Sequence, residues 1–162
     1  MRNWVLVLIA IVLVSCGPEA VYQKMNALPD SNWSQDSTFS YEIDMTNETG
    51  LIDLNLEIRH AGNYPYANLF VFLSSEFPDR KGRVDTIECV LARPTGEWYG
   101  SGLGDLYSLS IPFRKNVQFN QEGIYTMRLS HGMRQDTLEG IADIGITLFK
   151  SAVGQNLTSQ PQ

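Results

Sequence analysis

Two cysteines and two histidines are all the thiolate and imidazole ligands that 162 residues provide. His60 and His131 do not belong to a short-spaced ligand pair, so the converging set that a metal site needs is missing. No G-x-S-x-G elbow is present for a serine nucleophile. The stretch "GSGLGD" lacks the preceding strand, following helix and lysine of a phosphate loop. Its glycines read instead as suppliers of positive φ in a tight loop. Carboxylates are numerous, but no motif singles out a pair facing across a cleft. Positive charge is scarce: 12 Lys+Arg against 18 Asp+Glu leave a net charge of -6. An acidic chain without a dense basic cluster repels phosphate backbones, which excludes nucleic acid as a partner. No amphipathic helix of useful length and no fixed-period repeat occur. Together these absences argue against an enzyme, a resident metal and a cofactor.

Long apolar runs are also few, and the one present is at the start. Arg2 precedes an apolar stretch over residues 4–14, followed by Ser15 and Cys16. A bilayer core about 30 Å thick needs roughly 20 apolar residues in a helix, so this run is too short to span. A basic start, an apolar stretch of about 7–15 residues and a small residue before the cut make an export signal. "LVSC" adds a lipobox, in which Cys16 becomes the mature N-terminus and its sulfur carries a diacylglyceryl group. An ordinary export signal with an incidental cysteine is the alternative. On the lipobox reading residues 1–15 are removed, and the membrane is engaged through lipid on Cys16. Residues 16–32 form the lipidated N-terminus and tether, with a helical turn near Tyr22 to Leu28. Cys89 is then unpaired, and no intramolecular disulfide is possible.

What remains is rich in strand patterns. Apolar residues make 43% of the chain, enough for a packed core. "TFSYEIDM" puts Phe39, Tyr41, Ile43 and Met45 on one face, and "LIDLNLEIRH" does the same with Ile52, Leu54, Leu56 and Ile58. The turn "TNETG" between them predicts an antiparallel pair. In "ANLFVFL" residues 69–73 are apolar without a break, which predicts a central strand covered on both faces. "DTIECVLA" aligns Ile87, Cys89 and Leu91, so Cys89 reads as a small buried hydrophobe. Pro112 in "YSLSIPFRKNVQF" argues for an edge position. "GIYTMRLSH" and "IADIGITLFK" close the domain. Short strands separated by turns predict an all-β fold: one antiparallel β-sandwich, Ig-like or jelly-roll-like, over residues 33–150, with a flexible tail over 151–162.

The aromatic residues of the turns are the candidates for contact. Trp98 and Tyr99 lie in the glycine-rich loop, and Tyr64 and Tyr66 flank Pro65. With Arg59, His60 and Asn68 they make the candidate partner surface. Exposed aromatics anchor a protein partner or stack on a sugar, whereas buried ones cap the ends of the sandwich.

Five stretches taken together carry a resemblance: the lipobox, "LEIRHAGNYPYANLFVFL", "DTIECVLARPTGEWYGSGLGD", "GIYTMRLSHGMR" and "LEGIADIGITL". Over residues 16–150 the chain resembles the GldH gliding-motility lipoproteins of the Bacteroidota. The resemblance implies a non-enzymatic cell-envelope lipoprotein needed for gliding motility, for type IX protein secretion, or for both. Its partners would be other envelope, motility or secretion proteins. It supplies no active site to carry over. Gly17 stands where an inner-membrane retention signal would have aspartate, and "GPEAVYQ" lacks an acidic export cluster. Both favour an outer-membrane position facing the periplasm. A carbohydrate-binding module on a lipid anchor, with Trp98 and Tyr99 as its platform, is the alternative.

Overall fold

The computed structural model describes residues 20–152. Within them the chain forms an all-β sandwich in which every strand pair is antiparallel. The strands are β1 (Ala20–Ala27), β2 (Asn32–Ser34), β3 (Phe39–Asp44), β4 (Leu51–Ala61), β5 (Asn68–Glu76), β6 (Gly82–Val90), β7 (Ser101–Leu103), β8 (Leu106–Gln118), β9 (Ile124–His131), β10 (Thr137–Glu139) and β11 (Ile141–Lys150). One sheet has the order β1-β11-β4-β8-β7 and faces a second of order β3-β9-β5-β6. A small β2–β10 pair closes one end.

β4 shows why the sheets face each other. Ile52, Leu54, Leu56 and Ile58 are buried, while Asp53, Asn55, Glu57 and Arg59 are half-buried or exposed. The buried row meets Leu69, Val71 and Leu73 of β5 and Met127 and Leu129 of β9 in one continuous core. Burying each such side chain contributes about 1.5–3 kcal/mol. Tyr41 crosses the core and donates its hydroxyl to the Ile144 carbonyl at 3.1 Å, which joins the sheets by a polar contact. Cys89 is fully buried on the inner face of β6, and desolvation pushes its thiol up to about 12, out of reach of thiolate chemistry.

Several expectations need correction. The two alternating runs around "TNETG" do not pair: β3 bonds to β9 and β4 to β11 and β8. The turn carries the chain from one sheet to the other. Strict alternation is equally satisfied when two strands sit face to face, so the pattern alone does not distinguish the two arrangements. β5 is central in its sheet, but only one of its faces is covered. Leu69, Val71 and Leu73 point inward, while Phe72 is 40% exposed on the outside. Part of the segment read as tether is a strand. Residues 20–27 form β1, paired along β11, with no helical turn. The sandwich therefore begins at Ala20, well before residue 33. β1 is an edge strand of mixed composition, and its pairing is fixed by close approach. A Cβ on Gly145 of β11 would collide with the Lys24 carbonyl and the Met25 side chain.

Pro112 does lie at an edge. β7 covers β8 only over residues 106–108, and Pro112 is beyond it, opposite Asn55 of β4. Residues 153–162 of the expected tail lie outside the described residues.

Candidate functional site

The alternating row of β4 continues one step beyond Ile58 to His60, which is fully buried. Its ring stacks on Tyr107 at 5.6 Å and meets Trp98 edge-on at 4.6 Å, with Tyr64 at 5.8 Å. The Ala61 carbonyl accepts a bond from Nδ1 at 2.9 Å, which assigns the proton to Nδ1 and leaves Nε2 buried without a partner. Tyr64, 3% exposed, donates its hydroxyl to the Asn68 carbonyl at 3.0 Å. Trp98 donates Nε1–H to the Gly62 carbonyl at 3.2 Å. These rings cap the sandwich. His60 and Tyr64 are therefore not partner-facing, because their burial closes the core where strands β4 and β5 cross between sheets. Trp98 is half-buried among them with its polar atom satisfied, and it does not line the groove described below.

The remaining candidates keep some surface. Tyr66 packs edge-on against Tyr64 at 5.7 Å. Asn68 donates Nδ2–H to Glu88 at 2.8 Å. Arg59 and Tyr99 are brought together, although 40 positions separate them in sequence, at a groove on the outer face of the larger sheet.

This groove encloses about 730 Å³. Its walls are Met25 of β1, Glu57 and Arg59 of β4, Ser108 and Ser110 of β8, Asp143 of β11, and Tyr99 with its two following residues. Arg59 holds Asp143 with Nη2 at 2.6 Å and Nε at 2.7 Å from the same carboxylate oxygen. Ser110 donates to Glu57 at 2.8 Å and accepts from Asn55 at 2.9 Å. Tyr99 is held by Arg93, whose guanidinium lies 4.9 Å from the ring centre. Gly100, at φ +91°, turns the chain so that Tyr99 reaches this face, and a Cβ there would collide with the Ser108 carbonyl. The surface is polar, pre-arranged by hydrogen bonds, and has one aromatic at its rim. Such a set of donors and acceptors can orient a partner. Among the described residues no three His, Cys, Asp or Glu side chains gather as metal ligands, and no helix is long and apolar enough to cross a membrane.

Two results are expected from these contacts. Arg59→Met leaves Asp143, whose side chain is 10% exposed, without its cation. The cost should be about 1–2 kcal/mol, between the values for exposed and buried pairs. Adding Asp143→Asn should recover part of it. Urea unfolding of the three variants checks this, and an unmoved midpoint in Arg59→Met rejects it.

The second concerns pH. Desolvation lowers the pKa of both His60 and His131 below the ordinary 6.5. Their folded pKa values lie under the unfolded one, so the unfolded chain binds more protons in acid. Stability is fully present above about pH 6.5 and falls as pH drops, by at most about 1.4 kcal/mol per unit for each histidine. Melting curves between pH 7 and 5 should show this slope, and His131→Asn should flatten it.

Comparison with known proteins follows the fold closely. The GldH lipoprotein family model matches residues 20–148, from the first residue of β1 almost to the end of β11. The chain belongs to the GldH lipoprotein family. A gliding motility lipoprotein GldH homolog of Christiangramia forsetii is 33% identical over 148 residues, covering 87% of this chain and 90% of its own. The gliding motility lipoprotein GldH of Flavobacterium johnsoniae is 29% identical over 154 residues, covering 91% and 95%. Membership makes this a lipoprotein of the gliding-motility type, associated with the cell envelope. Cys16, the expected lipid site, lies outside the described residues.

The groove residues Glu57, Ser108, Ser110 and Asp143 were not foreseen. A signal existed for one of them: Glu57 shares the outward row of β4 with Arg59. The others needed knowledge of which strands flank β4.

Proposed function

We propose that this GldH-family chain is a non-enzymatic envelope component, held by lipid on Cys16 at the periplasmic face of the outer membrane. It serves gliding motility or type IX secretion by docking on another envelope protein. The observation that carries this reading is the family match along the whole sandwich, with relatives named for gliding motility. The groove beside Arg59 and Tyr99 is the docking surface, because it joins an aromatic anchor to pre-oriented polar groups.

A photo-crosslinking residue placed at Ser108 tests the docking surface against one placed at Glu42 on the opposite outer face. Cross-links to an envelope protein from position 108 alone are expected. Equal yields from both positions would count against the groove.

A carbohydrate-binding module remains the second reading, on the observation that Tyr99 borders a polar groove of sugar-sized volume. Trp98 does not contribute to it. A glycan array separates the two: binding lost in Tyr99→Ala favours the module, and an array without signal favours the protein partner.

A further inference from the structure

A second cavity lies at the end of the sandwich away from the aromatic cap. It encloses about 280 Å³ between the two sheets, walled mainly by apolar side chains such as Leu54, Leu73, Phe113 and Phe119, with polar groups of Ser75, Gln118, Asn120 and Gln121 on part of its lining. Phe77 and Phe119 meet Tyr125 edge-on at 6.0 and 4.8 Å, so ring edges line the space. Two cations, Arg83 of β6 and Arg114 of β8, stand at its rim. Asp85 takes both, Arg83 Nε at 2.9 Å and Arg114 Nη2 at 2.9 Å. Two guanidinium groups on one carboxylate leave one positive charge uncompensated. A mainly apolar chamber with a cationic mouth suits an amphiphile: an apolar chain ending in an anionic group.

The position of this end in the fold says where such a molecule comes from. Ala20 pairs with Phe149 and Lys150 with Ile52, so the first strand starts beside the start of β4. Leu51 pairs with Gln118 and Asp44 with Ile124, which puts the cavity's loop at that same end. Cys16 precedes Ala20 by four residues, and four residues span at most about 14 Å. β1 and β8 are three strands apart, also about 14 Å. On the lipid-anchor reading above, this end cannot leave the bilayer surface by more than that reach. Ile124, 56% exposed, is an apolar contact on the same rim.

We infer that this end of the sandwich rests on the bilayer and that its cavity takes the acyl chain of an anionic lipid. The bilayer orientation depends on Cys16 lipidation, whereas acyl binding depends on the cavity alone, and the two are tested apart.

The full Cys16→Ser chain is titrated with dodecanoate, followed by calorimetry. One equivalent is expected to bind. Val117→Phe, which fills the cavity, should abolish binding, and the exposed Arg114→Gln should weaken it about tenfold, the share of one ionic hydrogen bond. A folded wild-type chain that takes no dodecanoate overturns acyl binding. So does undiminished binding in a folded Val117→Phe.

The lipidated protein is then placed in phosphatidylethanolamine–phosphatidylglycerol vesicles carrying nitroxide-labelled acyl chains. Trp33 and Trp98 belong to the opposite end, against His131 and Gly62 respectively. Their emission should stay unquenched, and Ile124→Trp should add emission that is strongly quenched. Unquenched Ile124→Trp on vesicle-bound protein overturns the orientation. Protein that does not stay on the vesicles points instead to the anchor, and the mass of its N-terminal peptide decides that separately.

Discussion

Cys16→Ala, made behind an ordinary cleavable export signal so that residues 4–14 are still removed, is expected to move the protein from the membrane fraction to the soluble fraction while leaving the fold intact. The argument is one of free energy. Each buried CH₂ of an acyl chain contributes about 0.8 kcal/mol, and stable anchoring takes more than one chain. All chains depend on the Cys16 thiol and on the amine that its cleavage exposes, so one substitution removes the whole term. Among the described residues no helix is long and apolar enough to span in its place. The sandwich should be indifferent, since it starts four residues later at Ala20. Fractionation of cells carrying each version, with urea unfolding of the soluble form, reads both halves. Undiminished retention in the membrane fraction contradicts the anchor.

Trp33→Ala is expected to be the most damaging single change within the domain, at about 3–5 kcal/mol. That is a large part of a typical total of about 5–15 kcal/mol. Trp33 is fully buried, on a strand of only three residues. Its ring meets Phe39 edge-on at 5.9 Å and His131 at 5.5 Å, and Nε1–H donates to the Ser37 carbonyl at 3.2 Å. β2 and β10 have no other partner strand, and Leu138 opposite Trp33 is buried with it. Truncation therefore opens a cavity and frees the β2–β10 pair at once. A urea midpoint lowered accordingly, or failure to fold at 37 °C, is the expected reading. A midpoint close to wild type contradicts it.

These two residues also mark where the sequence is informative and where it is not. The expectation of lipid on Cys16 rests on a local signal: an apolar run, a small residue and a thiol in order. The strand row from Ile52 to Ile58 is legible for the same reason, since alternation needs only neighbours along the chain. Its continuation to His60 was written in that row as well, but the residue type suggested a surface role that burial rules out. Strand partners are another matter. β3 and β4 are separated by a six-residue turn yet belong to different sheets, because apolar faces can meet across the core as well as align along one sheet. β1 was illegible because "AVYQKMNA" alternates weakly, as an edge strand half in water does. The groove suffered most. Its ion pair links positions 84 apart, and no local pattern in either strand indicates the other.

The central claim is that this GldH-family lipoprotein serves surface movement or secretion through its outer groove. The most direct test deletes the gene and restores it as wild type or as the Tyr99→Ala, Ser108→Arg double variant, with abundance matched by immunoblot. Colony spreading and the secreted protein profile are then read together. The account predicts that deletion abolishes spreading, secretion or both, that the wild type restores them, and that the groove variant at equal abundance does not. Unchanged spreading and secretion after deletion, or full restoration by the groove variant, would contradict it.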